Sequence, residues 1–331
     1  MKKKLISVCM CTYNGEKYLQ NQVESIASQT RRPDELVVCD DASGDNTVEI
    51  IEAFASTATF PVHLTINEKN LGSTKNFEKA IGLCRGDIIV LSDQDDVWHP
   101  EKLRRLEAVF SESPQIGAVF TDAQVVDERL IPLGYSLWKS AGFGGREQRR
   151  LAEGGAFDVL LRRNVVTGST MAFRSDFKNL VLPIPENHVH DAWIAIIISA
   201  AAKVAALPEP LIKYRQHARN QIGAANPGIK RQLNTTFKLC DRSVYLREAD
   251  LYNEVRERLR RAGETSVSSD LIVKLDAKID HLHFRAAIHD HSMASRCVRV
   301  VRELVKLKYH RYSDGLKSAA RDILPNRLPW G

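Results

Sequence analysis

The chain has 331 residues, 44% hydrophobic and 27% charged, which is the make-up of an ordinary soluble globular protein with length for one large domain or a domain plus an appendage. Its formal net charge of +6 and pI near 8.9 suit nucleotides, phosphates or an anionic membrane surface without singling out one of them. Six cysteines (Cys9, Cys11, Cys39, Cys84, Cys240 and Cys297) form no CxxC pair, so they read as small core residues in a reducing cytoplasm rather than a metal site or disulfide framework.

The basic start Met1-Lys2-Lys3-Lys4 is followed by an apolar run of only a few residues, too short for a signal peptide. Leu5 to Met10 reads as a buried strand, and after Asn14-Gly15 the apolar residues Leu19, Val23, Ile26 and Ala27 recur at helical spacing. Leu36 to Cys39 is a second strand, followed by Asp45 as the expected N-cap of a helix through Ile50, Ile51 and Phe54. Val62 to Ile66 is a third strand, with a helix from about Ser73. Ile88 to Leu91 is a fourth, with a helix through Leu103, Leu106 and Val109, and Ile116 to Phe120 is a fifth. This alternation predicts an α/β fold with a mostly parallel sheet flanked by helices, whose ligands bind beyond the carboxyl ends of the strands.

The stretch from 130 to 225 is less regular, and Gly142, Gly144 and Gly145 suggest a mobile loop. Ala192 to Ala202 is the longest apolar stretch, ended by Lys203 and too short to span a bilayer. From about 228 the pattern becomes helical and basic. Between Arg296 and Arg327 basic residues outnumber acidic ones, interleaved with Val300, Val301, Leu304, Val305 and Leu307. A boundary is placed near residue 225. The C-terminal segment reads either as a helical appendage packed on the first domain, or as an interfacial element on anionic lipid with Leu328 and Trp330 near the surface.

Polar residues gather at the ends of three strands: Cys11-Thr12-Tyr13-Asn14, Asp40-Asp41-Ala42-Ser43 and Ser92 to Asp96. The stretch "LSDQDDVW" (91–98) sets three carboxylates within four residues directly after an apolar run. Asp93 and Asp95, one residue apart, can share a divalent cation, Mg²⁺ or Mn²⁺, and a ribose hydroxyl. The competing reading is a solvated turn before a helix N-terminus, and Asp96 is expected mainly to open that helix. Asp40-Asp41 is either turn chemistry or a site where Asp41 accepts from a nucleobase imide, with Thr12 and Tyr13 lining the pocket. Asp191, in "HDAW", is a first-turn acid or a general base partly desolvated by Trp193. "YRQHARN" (214–220) is a surface loop or a clamp on a diphosphate, with Arg215 or His217 nearest the metal. His63, His281 and His283 have no such company and are assigned to structure. Neither GxGxxG after the first strand nor GxxxxGK[ST] occurs, which argues against hydride transfer and excludes a P-loop enzyme.

The ordered set "SVCMCTYNGEKYLQNQVESIASQT", "VVCDDASGDNT", "NEKNLGSTKNF" and "LSDQDDVW" resembles glycosyltransferase family 2, whose catalytic domain has the GT-A fold, over about residues 4–220. "SDQDDVW", "HDAW" and "YRQHARNQ" are similar to the bacterial branch containing rhamnosyltransferases of surface-polysaccharide assembly. The resemblance implies a GT-A domain over 1–225, with a nucleotide-sugar half (1–125) and an acceptor half (126–225), followed by a basic helical region over 226–331. It implies an inverting transfer from a nucleoside-diphosphate sugar, dTDP-rhamnose favoured, to a glycan or lipid-linked acceptor, with no nucleic-acid partner. Thr12, Tyr13, Asn14, Asp41, Asp93 and Arg215 then serve the nucleotide sugar, and Asp95, Asp93 and His217 the metal. Gly168, Ser169, Thr170 and Trp193 serve the acceptor. Asp191 is the matching base, with His190 where the family usually carries a second acid. A cytoplasmic protein, peripheral on the inner face of the membrane, is expected. The alternatives are a UDP-hexose donor in the same fold, or a nucleotide-sugar-binding protein without catalysis.

Overall fold

The computed structural model describes residues 4–218, 220, 224, 242–263 and 267–324. Cys240, Arg219, Leu328, Trp330, the Met1–Lys3 start and the boundary near 225 lie outside those residues. The described residues fall into two compact units, one within Met1–Ala156 and Val165–Ala225, the other within Phe157–Asn164 and Asn226–Gly331.

The first unit is built on a nine-stranded sheet. Its first part alternates β1 (Ile6–Thr12), α1 (Glu16–Ala27), β2 (Glu35–Asp40), α2 (Thr47–Thr57), β3 (Val62–Ile66), α3 (Ser73–Leu83) and β4 (Ile88–Ser92). There follow β5 (Val97–Trp98), α4 (Lys102–Glu112), β6 (Ile116–Val126), β7 (Pro132–Ser136), α5 (Leu137–Ala141) and α6 (Gly145–Arg150). After α7 (Ala156–Arg162), which from Phe157 on belongs to the second unit, come β8 (Met171–Arg174), α8 (Lys178–Val181), α9 (His190–Ala201) and β9 (Lys203–Arg215). The strand order is β3-β2-β1-β4-β8-β6-β9-β5, with β7 on β6.

Every side chain of β1, β2 and β4 is buried, as expected of central parallel strands covered on both faces. α1 turns Leu19, Val23 and Ile26 inward at helical spacing, and α9, apolar almost all round, is buried over most of its length. The parallel expectation holds for β3-β2-β1-β4. Beyond β4 the sheet becomes mixed, because β8 runs antiparallel to both β4 and β6 while β6 pairs parallel with β9. Residues 130–225 read poorly for this reason: short reversed strands and a 13-residue β9 interrupted by Pro208 and Pro210 carry no simple period. The glycines expected to mark a mobile loop instead bound helices. Gly142 closes α5 in the left-handed conformation, and Gly144 and Gly145 start α6.

Register brings the site together. Thr12 lies opposite Asp40 and Met10 opposite Ser92, so the chain leaves β1, β2 and β4 at one edge. Two of these exits bend through non-glycine residues in the left-handed region, Asn14 (φ 48°) and Ala42 (φ 61°), a cost borne where backbone must turn sharply beside a site. Asn46, not the expected Asp45, is the N-cap residue of α2; Asp45 stands one residue earlier, its carboxylate accepting from the Thr47 amide at 3.1 Å.

The second unit is helical: α10 (Arg242–Ala262), α11 (Ser269–Ala287), α12 (Met293–Val305), α13 (Lys308–Tyr312) and α14 (Leu316–Ile323). It has its own apolar core around Tyr245, Ala249, Ile279 and Leu282, with a second cluster at Ile288, Val300, Tyr309 and Ala319. A buried fork from Arg285 grips Asp322 at 2.7 and 2.9 Å, and the Tyr309 hydroxyl donates to the same carboxylate at 2.8 Å. His281 is buried here, with Nε2 at 2.9 Å from the Ser313 hydroxyl. Among the described residues no helix is long and apolar enough to cross a membrane.

Candidate functional site

The acidic stretch after β4 is the centre. Asp93 and Asp95 are half-buried and Asp96 is buried, and one carboxylate oxygen from each lies within 4.8 Å of the others. Burial first, then the charges of Asp95, Asp96 and Asp191, push Asp93 well above the ordinary carboxylate range. Burial and Asp95 likewise lift Asp96 to about 7. Asp96 does not open the next helix. β5 intervenes before α4, and Asp96 Oδ1 instead accepts the Arg215 amide at 3.1 Å, while its buried Oδ2 has no hydrogen-bond partner among the described residues. Hard oxygen donors this close, one with an orphaned atom, fit a divalent cation of the Mg²⁺ or Mn²⁺ kind. His217 reaches the same group, Nε2 to Asp95 Oδ2 at 2.7 Å, and its ring lies tilted at 36° against that of Tyr18, 4.9 Å between centroids.

Lys102 supplies the counter-charge, a role that sequence reasoning missed. It stands first in α4 yet is fully buried, with Nζ 3.5 Å from the Trp98 ring centre and donating to the Ser169 carbonyl at 2.8 Å. Burial pushes this lysine well down, and the Asp96 and Asp93 charges pull it back up. A charge in the first turn of a helix reads from sequence as solvent-facing, so nothing local announces it.

The Gly168–Thr170 turn held by Lys102 holds Asp191 in its turn. The Gly168 amide donates to Asp191 Oδ2 at 2.8 Å, and Oδ1, buried, has no partner among the described residues. Burial raises Asp191 to about 6, against smaller opposing pulls from the Gly168 and Ala192 amides. His190 takes no share in this. Burial lowers it to about 3, so it is neutral, and its ring stacks on Phe77 at 3.9 Å. A Cβ on Gly168 would stand 2.7 Å from His190 Nε2, so any larger residue there must push the His190 ring aside.

On the other flank Tyr13 is 48% exposed, its ring open to solvent. Its peptide is clamped by Gln94, the carboxamide accepting from Tyr13 N at 2.8 Å and donating to Tyr13 O at 3.0 Å. Gln94 thus ties the end of β1 to the acidic stretch, and it too went unnoticed in the sequence. Asn14 Oδ1 accepts the Gly44 amide at 2.9 Å, joining the β1 and β2 exits. Asp41 is nearly enclosed, accepting from Asn67 Nδ2 and the Leu71 amide at 2.8 Å each and from the Gly72 amide at 2.9 Å. The loop "NEKNLG" is therefore wrapped on Asp41, and Gly72 at φ 80° supplies the conformation this requires.

Three residues face elsewhere than expected. The Thr12 hydroxyl donates to Asp40 at 2.8 Å within the strand seam rather than into an open pocket. Arg215 is buried, donating to the carbonyls of Asp95 and Glu128 at 2.7 and 2.6 Å and lying 4.6 Å from the Tyr18 ring centre, so it braces the acidic stretch instead of facing a diphosphate. Trp193 is a core residue whose indole donates to the Val181 carbonyl at 2.7 Å. Ser169 and Thr170 are also enclosed, and the turn's clearest task is to hold Asp191.

Residues 7–163 match the family model described as glycosyl transferase family 2. An uncharacterized protein of Mycobacterium bovis is 27% identical over 220 residues, 64% of this chain and 59% of that protein. The chain thus spans under two thirds of that relative. An uncharacterized glycosyltransferase of Nostoc is 28% identical over 228 residues, 67% of this chain and 68% of the relative. Abequosyltransferase RfbV of Salmonella typhimurium is 32% identical over 114 residues, 34% of each chain. Among solved structures, Staphylococcus aureus TarS in complex with UDP-GlcNAc superimposes with a TM-score of 0.55 at 18% identity, covering 96% of this chain and 90% of that one. Mannosyltransferase PcManGT of Pyrobaculum calidifontis with GDP-Man and Mn²⁺ gives 0.54 at 16% identity, covering 97% and 85%. The α/β fold, a mixed sheet flanked by helices with a helical C-terminal region, is that of the GT-A glycosyltransferases.

Proposed function

We propose that this chain, whose residues 7–163 match the glycosyl transferase family 2 model, is an inverting glycosyltransferase that moves one sugar from a nucleoside diphosphate to an acceptor hydroxyl. The observation that carries this reading is Asp191: a buried carboxylate raised to about 6, fixed through Oδ2 and with Oδ1 left over, whose charge is felt by Asp93 of the acidic cluster. A protein that only binds nucleotide sugars has no need of such a base.

The open ring of Tyr13 receives the nucleoside, held in place by the Gln94 clamp. Asp41, with the loop wrapped on it, shapes the wall beside it, and Asp93 faces the ribose. Asp95, Asp93, Asp96 and His217 are the residues that would hold the cation. A bound Mg²⁺ or Mn²⁺ supplies Lewis-acid stabilisation of the charge developing on the departing diphosphate. Asp191 Oδ1 accepts the proton of the acceptor hydroxyl as that oxygen bonds to the anomeric carbon from the face opposite the diphosphate. The bond to the diphosphate breaks in the same displacement, so the configuration inverts without a covalent enzyme intermediate. Its elevated pKa suits Asp191 to this work near neutrality, and a base so placed contributes on the order of 10²–10⁴-fold in rate.

For the donor we favour dTDP-rhamnose, on the likeness of "SDQDDVW", "HDAW" and "YRQHARNQ" to the rhamnosyltransferase branch. The complexes of the structural relatives with UDP-GlcNAc and GDP-Man keep other nucleotide sugars in the comparison. A growing surface polysaccharide or lipid-linked glycan is the proposed acceptor, met at the cytoplasmic face of an anionic membrane. A thermal-shift panel of dTDP-rhamnose, UDP-sugars and GDP-sugars with Mn²⁺ tests the donor. A ligand at a hundred times its dissociation constant adds about 2.7 kcal/mol of stability. A panel without any shift sinks the reading, and a larger shift with a UDP-hexose replaces rhamnose.

A further inference from the structure

We propose that the outward face of α12 is a docking surface for an anionic lipid bilayer. The inference extends the membrane-side placement above but does not depend on the sugar chemistry. α12 reads MASRCVRVVRELV, and one side of it is core: Val300 is fully buried, with Leu304 and Cys297 half-buried beside it. An ordinary surface helix turns charged side chains away from such a core. This one does not. Val298, Val301 and Val305 are 61%, 53% and 78% exposed. With exposed Ala294 they fall at i, i+4, i+7 and i+11, a single straight stripe about 16 Å long at 1.5 Å per residue.

Along one flank of that stripe run Arg299, Arg302 and Lys306, all exposed and spaced i, i+3, i+7. The one acid of the helix, Glu303, is turned inward, within 3.4 Å of Lys308 Nζ and 3.5 Å of His281 Nδ1. The outward face of α12 therefore presents aliphatic groups and positive charge with no carboxylate among them. Leu307, half exposed, extends the apolar run past the helix end. A row of valines bordered by guanidinium and ammonium groups complements acyl chain beneath anionic headgroup, the layering of a bilayer surface.

The experiment is flotation of the full chain with vesicles of phosphatidylcholine alone and with 30% phosphatidylglycerol, at about 0.1 and 0.5 M salt, between which the Debye length shrinks about twofold. Wild type is expected to float with the anionic vesicles at low salt and to stay behind with neutral vesicles or at high salt. R299Q/R302Q should weaken partitioning about 25-fold, at about fivefold per cation near the surface, and V301E/V305E should abolish it. All four positions are exposed, so unchanged melting temperatures separate loss of docking from loss of fold. Failure of wild type to float, equal flotation on neutral lipid, or full flotation of V301E/V305E overturns the proposal. So does a wild-type dimer in sedimentation that V301E/V305E converts to monomer without either floating, since the face is then a contact between copies. The nucleotide-sugar panel reads the first unit's chemistry separately, so each proposal can fail while the other stands.

Discussion

Replacing Asp191 with Asn tests the base and the burial argument together. The amide oxygen still accepts the Gly168 N–H, now 2.8 Å from Oδ2, so the 168–170 turn keeps its anchor while the side chain loses its basicity. Turnover is expected to fall by about 10²–10⁴-fold, or roughly 3–5 kcal/mol of barrier, with the donor KM nearly unchanged. Stability should move the other way. A carboxyl at about 6 in the folded chain and 3.8 ordinarily binds its proton more tightly when folded. Wild type is therefore penalised progressively as pH rises from about 4 to 6, by up to about 3 kcal/mol above that window, and not at all below it. D191N should melt higher than wild type at pH 7.5, with the gap closing as pH falls towards 4. In the same window wild-type kcat should drop about tenfold per pH unit below 6, as the base is protonated. Initial rates of nucleoside-diphosphate release and thermal melts at matched pH supply both readings. Wild-type turnover in D191N refutes the base assignment, and a less stable D191N at pH 7.5 refutes the buried-charge reasoning.

Chelation with EDTA should stop transfer, and Asp95→Ala should weaken nucleotide binding only when Mn²⁺ is present; equal titration curves with and without the ion would remove the cation from the site. Lys102→Met leaves the buried Ser169 carbonyl unpaired and strips the positive charge from beside Asp93 and Asp96, so urea melts should show a loss of about 1–3 kcal/mol; an unshifted midpoint contradicts the counter-charge role. Gly168→Ala forces the His190 ring off its stack on Phe77, at about 1–3 kcal/mol, and should lower kcat more than it raises donor KM. If G168A keeps wild-type kcat, the turn does not set the base.

Much of the polar edge was legible because parallel strands announce themselves. Continuous apolar runs ending in Thr12, Asp40 and Ser92 require those residues to leave a buried sheet, and the register then delivers all three to one edge. The acidic stretch and Asp191 could be picked out for the same reason, since carboxylates directly after a buried strand or opening an apolar helix need a purpose. Trp193 and Arg215 were legible as residues but not as roles. An indole in an apolar helix and an arginine after a strand look alike in sequence whether they face a ligand or the core.

By itself the sequence determined the α/β alternation, the edge where the polar ends meet, and the identity of the carboxylates there, because each follows from local period and from what a strand can bury. Tertiary structure alone decided which groups answer them. Lys102 meets Ser169 from 67 residues away, Gln94 meets Tyr13 from 81, and His217 meets Asp95 from 122. It also decided that Asp96 belongs to the cluster rather than to a helix start, and that α12 turns its valines outward and its one acid inward. Partners so far apart along the chain share no period. Their pairing is set by which buried charges and hydrogen-bonding atoms must be satisfied once the sheet has closed.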